Sequence, residues 1–69
     1  MEIKTKYNLG DNVFTLSNEL KIVEQTIKRV SVFVWPDGTR VSYDFVEGGE
    51  EYEDKCFASK DELLEYIQS

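Results

Sequence analysis

Apolar positions along this chain keep a strand-like period for most of its length and switch to a helical period near the end. The stretch "YNLGDNVFTL" opens the pattern: Gly10-Asp11 is a turn signal, and Val13-Phe14-Thr15-Leu16 is a short β-prone run. "SNE" at 17–19 reads as a second turn. Residues 20–35 are rich in β-formers, interrupted only by Glu24-Gln25 and by Lys28-Arg29. One unbroken strand of that length exceeds the usual range of roughly 3–10 residues, so a bend or a break near Lys28-Arg29 is expected. Residues 39–46 form the next strand, "EGGEE" a turn with two glycines, and residues 52–57 a last short strand. Residues 1–6 read as a mobile lead-in or a short edge strand.

In "SKDELLEYIQS", Leu63, Leu64 and Ile67 recur at helical spacing with Tyr66 beside them, which predicts a helix over about 60–68. Ser59 and Glu62 form an S-x-x-E capping box. The Ser59 hydroxyl is placed to accept from the Glu62 N–H, and the Glu62 carboxylate to reach back. Asp61 adds negative charge where the helix dipole favours it. Four or five short strands and one terminal helix, with no βαβ spacing, predict a mainly β fold: an antiparallel sheet curled into a small barrel, capped at one end by the helix.

The hairpin "SVFVWPDGTRVSYDF" decides which side chains share a face. A four-residue loop over 36–39 puts Pro36 where its fixed φ suits a type I turn and pairs Trp35 with Arg40. Val30, Val32, Val34, Val41, Tyr43 and Phe45 then form the core face. Ser31, Phe33, Trp35, Arg40, Ser42 and Asp44 form the other. A three-residue loop with a bulge at Gly38 mixes polar residues into both faces, so the first register is preferred. It leaves Phe33 and Trp35 outward beside Arg40, with Trp35 and Arg40 as a stacked cation–π pair. Two readings of these aromatics remain open: covered by another part of the chain, or a surface for binding or self-association.

The Gly-Asp turn and first strand, the bent second strand, the hairpin, and "KCFASKDELLEYI" after a short last strand resemble, in order, the small SH3-like barrels of the KOW and Tudor type. The likeness is greatest to short bacterial and phage barrels in which a Phe-x-Ser-Lys stretch leads into a terminal helix. It covers roughly residues 7–67 and implies a single SH3-like domain over 1–69 that binds through its loops and one sheet face. Tudor-type modules bind methylated side chains, and KOW-type modules bind RNA or protein.

Charge narrows those uses. The 69 residues carry a net charge of −6, from 8 basic and 14 acidic residues. Residues 1–40 are nearly balanced, whereas 41–69 hold nine acids against Lys55 and Lys60. Nucleic-acid binders cluster Lys and Arg against phosphates. This chain lacks that footprint and would attract a basic partner surface instead. Asp44, Glu47, Glu50, Glu51, Glu53 and Asp54 read as a solvated loop or as a docking patch for such a partner; their spacing matches no EF-hand.

Candidate chemistry is sparse. With no histidine, no phosphate loop and no partnered nucleophile, no catalytic residue, cofactor or metal is assigned. The one cysteine, Cys56, reads as a small buried hydrophobe. No apolar run is long enough to span a membrane and no secretory signal opens the chain, so a cytoplasmic protein of a bacterium or an infected host cell is expected. Two function classes remain. One is a non-enzymatic protein-interaction module, such as a small regulator or inhibitor, docking through Phe33, Trp35, Arg40, Glu47, Glu50, Glu51, Glu53 and Asp54. The other is an oligomeric small-molecule or nucleotide-binding protein in which Lys28, Arg29 and Arg40 converge between subunits.

Overall fold

The computed structural model describes residues 4–68. Four antiparallel strands, β1 (Asn12–Leu16), β2 (Ile22–Trp35), β3 (Gly38–Phe45) and β4 (Glu50–Tyr52), pair in the order β1-β2-β3-β4. A 3-10 turn (Glu53–Lys55) and one helix, α1 (Lys60–Gln68), follow. The sheet curls into a half-barrel, so the mainly β fold with one C-terminal helix is as the sequence predicts. Phe14 donates to Phe57 O at 2.7 Å and Phe57 donates to Phe14 O at 3.0 Å. This isolated bridge returns the chain after β4 to the outer edge of β1.

β2 is one strand of 14 residues, not two pieces. Its first part pairs with β1 and its second with β3. The expected irregularity does fall at the polar pair: Ile27 faces Phe45 and Arg29 faces Asp44, which leaves Lys28 as an extra residue. A bulge resets the two-residue alternation of a strand and increases its twist. Ile27 and Val30 therefore both turn to the core, while Lys28 and Arg29 between them are exposed.

The β2–β3 turn corrects the predicted register. Trp35 pairs with Gly38, Phe33 with Arg40, Val32 with Val41 and Val30 with Tyr43. The loop is Pro36-Asp37 alone, so the strands are slipped by two residues from the expected pairing. Because side chains alternate with period two, a two-residue slip leaves every residue on its expected face. The slip and the strand lengths change how deep the core reaches. Val41, Tyr43 and Phe45 are buried and Val30 packs against them. Val32 and Val34, expected in the core, are 38% and 64% exposed. The pairing of β1 ends at Thr26 and that of β4 at Ser42, so the outer part of the hairpin projects as a two-stranded ribbon. Nothing else in the sheet lies over those valines.

The last strand is Glu50–Tyr52, earlier than the predicted 52–57. Gly48 and Gly49 take φ of +109° and +86° in succession, a turn only glycine makes cheaply. The chain then tightens into the 3-10 turn, with Cys56 N–H donating to Glu53 O at 3.1 Å. Residues 1–3 of the predicted lead-in lie outside the described residues, and residues 4–6 form no strand. Lys6 N–H donates to Glu53 Oε2 at 3.0 Å, and the Tyr7 ring packs edge-on to Tyr43. The core is Val13, Ile27, Val41, Tyr43, Phe45 and Cys56, with Tyr7 and Val30 against it.

α1 spans the predicted residues, and Glu62 N–H donates to Ser59 Oγ at 3.2 Å as the capping box requires. The Glu62 carboxylate reaches one residue further back, to Ala58 N–H at 3.1 Å. Of the apolar face only Leu63 is buried; Leu64 and Ile67 are exposed. The helix lies against β1, and its Tyr66 ring lies 5.1 Å from that of Phe57, the residue bridged to β1.

The β1–β2 turn holds one strained residue. Leu20 has φ +63°, and its side chain is 78% exposed. Left-handed backbone costs an L-residue roughly 1–2 kcal/mol, and asparagine tolerates it better. Leu20→Asn should raise the unfolding free energy by about 0.5–1 kcal/mol. An unchanged or lower urea midpoint would show that Leu20 contributes contacts its exposure does not suggest.

Candidate functional site

The outer face of the β2–β3–β4 sheet collects Phe33, Trp35 and Tyr52. Phe33 and Trp35 are 43% and 54% exposed, on one side of the projecting ribbon. Their orientation follows from parity along β2 after the bulge: Arg29, Ser31, Phe33 and Trp35 share the face opposite Val30, Val32 and Val34. Arg40 lies across from Phe33.

The predicted Trp35–Arg40 stack gives way to a different pair. β4 places Tyr52 opposite Ser42, and the Arg40 guanidinium carbon lies 5.5 Å from the Tyr52 ring centroid. Trp35, Pro36, Asp37, Arg40 and Tyr52 line an open groove of about 310 Å³. A second groove of about 180 Å³ runs between Phe33 and Tyr52, with Glu50 and Glu51 at its side. Tyr52 is thus the site residue that sequence reasoning missed. Its position depends on the β3–β4 register, which the tight Gly48-Gly49 turn sets.

The acidic candidates separate into two groups. Glu47 Oε1 accepts from Thr26 N–H at 3.0 Å, and this backbone hydrogen bond holds its carboxyl below the usual range. Glu53 Oε2 accepts from the Tyr43 hydroxyl at 2.6 Å and from Lys6 N–H. Asp44 is buried and paired with Arg29, whose Nε donates to Oδ2 at 2.7 Å while Nη2 reaches the same oxygen. These three tie elements of the fold together. Glu50 is exposed beside the Phe33–Tyr52 groove, Asp54 is exposed at a neighbouring hollow that Arg40 and Tyr52 also line, and Glu51 accepts locally from Tyr52 N–H. Of the cations proposed to converge, Arg29 is held by Asp44 and Arg40 by Tyr52, on the same face of one chain.

Two protonated groups sit inside. Burial and then the Glu53 hydrogen bond push the Tyr43 phenol well above its ordinary value. Burial, followed by the Glu51, Glu53 and Asp54 carboxylates, pushes the Cys56 thiol up to about 12. Its sulfur lies 3.5 Å from Tyr52 O, and only 3% of the residue is exposed. A thiol so placed is a neutral packing group. Among the described residues no cluster of three or more metal-ligating side chains occurs. No helix there is long and apolar enough to cross a membrane.

Comparisons of the chain with protein-family profiles, with curated proteins and with solved structures return no match.

The raised thiol links stability to alkaline pH. Below pH 9.0, the ordinary value for cysteine, folded and unfolded chains both keep the proton. From there to about 12 the unfolded chain releases it and the native chain does not. Stability must then fall as pH rises, by up to about 1.4 kcal/mol per pH unit for one group. Tyr43 and Tyr7, also raised, add to the fall above pH 10.0. Urea midpoints should therefore decline from near pH 9.0, and in Cys56→Ala only once the tyrosines titrate. Identical pH dependence in the two proteins would remove Cys56 as the cause.

Proposed function

We propose that this chain is a non-enzymatic binding module that docks a protein partner on the outer face of its β2–β3–β4 sheet. The observation that carries this reading is the exposure of Phe33 and Trp35 on a sheet face beside Arg40 and Tyr52. Aromatic and arginine side chains are the residues that dominate protein interfaces, and a sheet holds them in place at low entropic cost. Glu50 and Asp54 at the margin favour a partner with a basic surface.

The half-barrel and its bent second strand fit the resemblance to small SH3-like barrels, whose members bind through loops and one sheet face. A regulator or inhibitor encoded by a bacterium or a phage is the biological form we favour. An aromatic cage for methylated side chains built from Tyr7, Trp35, Tyr43 and Tyr52 is not supported, because Tyr7 and Tyr43 point their hydroxyls into internal hydrogen bonds. A small-molecule or nucleotide site draws less support, since both aromatic grooves are open, one of about 310 Å³ at the bottom of the range of ligand pockets, roughly 300–1,000 Å³, and one of about 180 Å³ below it.

The direct test is affinity capture of a partner with the wild-type chain, followed by titration calorimetry with Phe33→Ala and Trp35→Ala. Each substitution should weaken binding by about 1–3 kcal/mol and leave far-UV circular dichroism and the thermal midpoint nearly unchanged. Affinity should also fall as salt rises. Undiminished binding by both variants would move the docking surface elsewhere, and loss of folding would reassign the two aromatics to the core.

A further inference from the structure

The ribbon has an edge as well as faces. Phe45 N–H donates to Gly49 O at 3.1 Å, toward β4. Alternation along an antiparallel strand then turns the backbone groups of Asp44, Ser42 and Arg40 toward β2, where they meet Arg29, Ser31 and Phe33. Val30, Val32 and Val34 consequently turn their N–H and C=O groups the other way. The pairing of β1 stops at Thr26, and Ile27 is held by Gly10 and Asp11, so no strand of the described residues lies along that edge beyond the bulge.

We infer that a second copy of this chain adds to the edge, antiparallel, with Val32 opposite Val32 across a two-fold axis. In that register Val30 faces Val34, Val32 faces Val32, and Val34 faces Val30. All three pairs are of the hydrogen-bonded kind, each exchanging two bonds, for about six in total. The valines of each copy lie on one face of the joint sheet. They cover one another where their own chain leaves Val32 and Val34 bare.

Neighbouring registers are worse. A one-residue slip sets outward backbone groups against inward ones. An axis at Phe33 puts Pro36 opposite Val30, and proline has no N–H to give. An axis at Ser31 runs the bulged Lys28 into the pairing with Val34.

The edge is also complementary to itself in charge. Residues 30–35 carry neither charge nor proline, the devices that usually keep an edge strand single. Lys28 and Arg29 lie at one end of the run and Asp37 beyond the other. A two-fold antiparallel pairing brings Lys28 of each copy towards Asp37 of the other, while Arg29 stays with Asp44 of its own chain. β4 lies across β3, away from this edge. A small core also gains from association. The pairing uses the backbone edge, whereas the proposed partner surface is a face, so the two readings can fail separately.

Light scattering of the wild-type chain over a range of concentrations should give a mass rising to twice 8.0 kDa. Hydrogen exchange should show the amides of Val30, Val32 and Val34 becoming protected as that form fills. Val32→Lys sets like charges directly opposite each other and should raise the dimer dissociation constant by about tenfold or more. Val32→Glu should do the same. An equimolar mixture of V32K and V32E should restore the dimer, as only a two-fold axis at residue 32 requires. Circular dichroism establishes that each variant is folded. If either is not, Val34→Lys, at a more exposed position, replaces both as the disruptive change. A wild-type chain that stays monomeric at every concentration overturns the inference and leaves the edge to a strand of another protein. A dimer that survives a folded Val32 or Val34 variant unweakened overturns it as well.

Discussion

One extra residue in β2 makes the rest of this fold attainable. Without the bulge at Lys28, a strand that turns Ile27 inward would turn Arg29 and Ser31 inward and Val30 outward. Charge would enter the core exactly where Tyr43 now packs. With the bulge, one strand keeps Ile27 and Val30 on the core side and still bends enough to serve β1 with its first part and β3 with its second. The bulge also sets Arg29 opposite Asp44, so the buried carboxylate of the central strand has a cation at hand. A buried carboxylate with no such partner would be costly.

Curling the sheet creates a second requirement, which the Tyr43 hydroxyl meets. It lies inside the curl, where an unpaired polar group costs roughly 1–3 kcal/mol. It donates to Glu53 and accepts from Tyr7 N–H at 3.3 Å, while Glu53 also holds Lys6. One phenol thus joins β3, the 3-10 turn and the chain before β1, and these are the pieces that a half-barrel leaves farthest from a common strand pairing. The same carboxylates that give the second half of the sequence its negative charge are therefore of unlike use. Asp44, Glu47 and Glu53 satisfy particular donors, and the surface field comes from the remainder.

Local signals in the sequence carried far. Strand-type patterning, the adjacency of Lys28 and Arg29, the paired glycines and the Ser59–Glu62 cap each have a structural counterpart where the pattern puts them. One failure is local, the last strand expected over 52–57 where the chain has already turned into the 3-10 segment; the others are long-range. Pro36 suits the first position of a two-residue loop as well as of a longer one, so the turn alone could not fix the register. How far the core runs along the hairpin depends on where β1 and β4 stop, which no local pattern encodes. For the same reason Val32 and Val34 looked internal and Tyr52 did not stand out. The helix was legible but its docking was not, because Leu64 and Ile67 need a facing surface that the short β1 does not extend far enough to supply.

The ribbon beyond residue 31 sharpens what exposure means here. A two-stranded hairpin has little stability of its own in water, and this one is held by its root in the sheet. The described residues leave Val32 and Val34 exposed on one face and Phe33 and Trp35 on the other, while Val41, nearer the root, belongs to the core. Changing the register by two residues alters the pairing without altering that conclusion. The proposed partner and the proposed second copy would each cover part of that exposed apolar surface. Side chains on its faces and backbone groups on its edge present separate chemistries: hydrophobic and cation–π contact on one, directional hydrogen bonding on the other. A molecule that satisfies the edge leaves the outer aromatic face uncovered and widens it. The proposed association through the backbone and the proposed recognition through Phe33 and Trp35 are in that sense compatible on one projecting element.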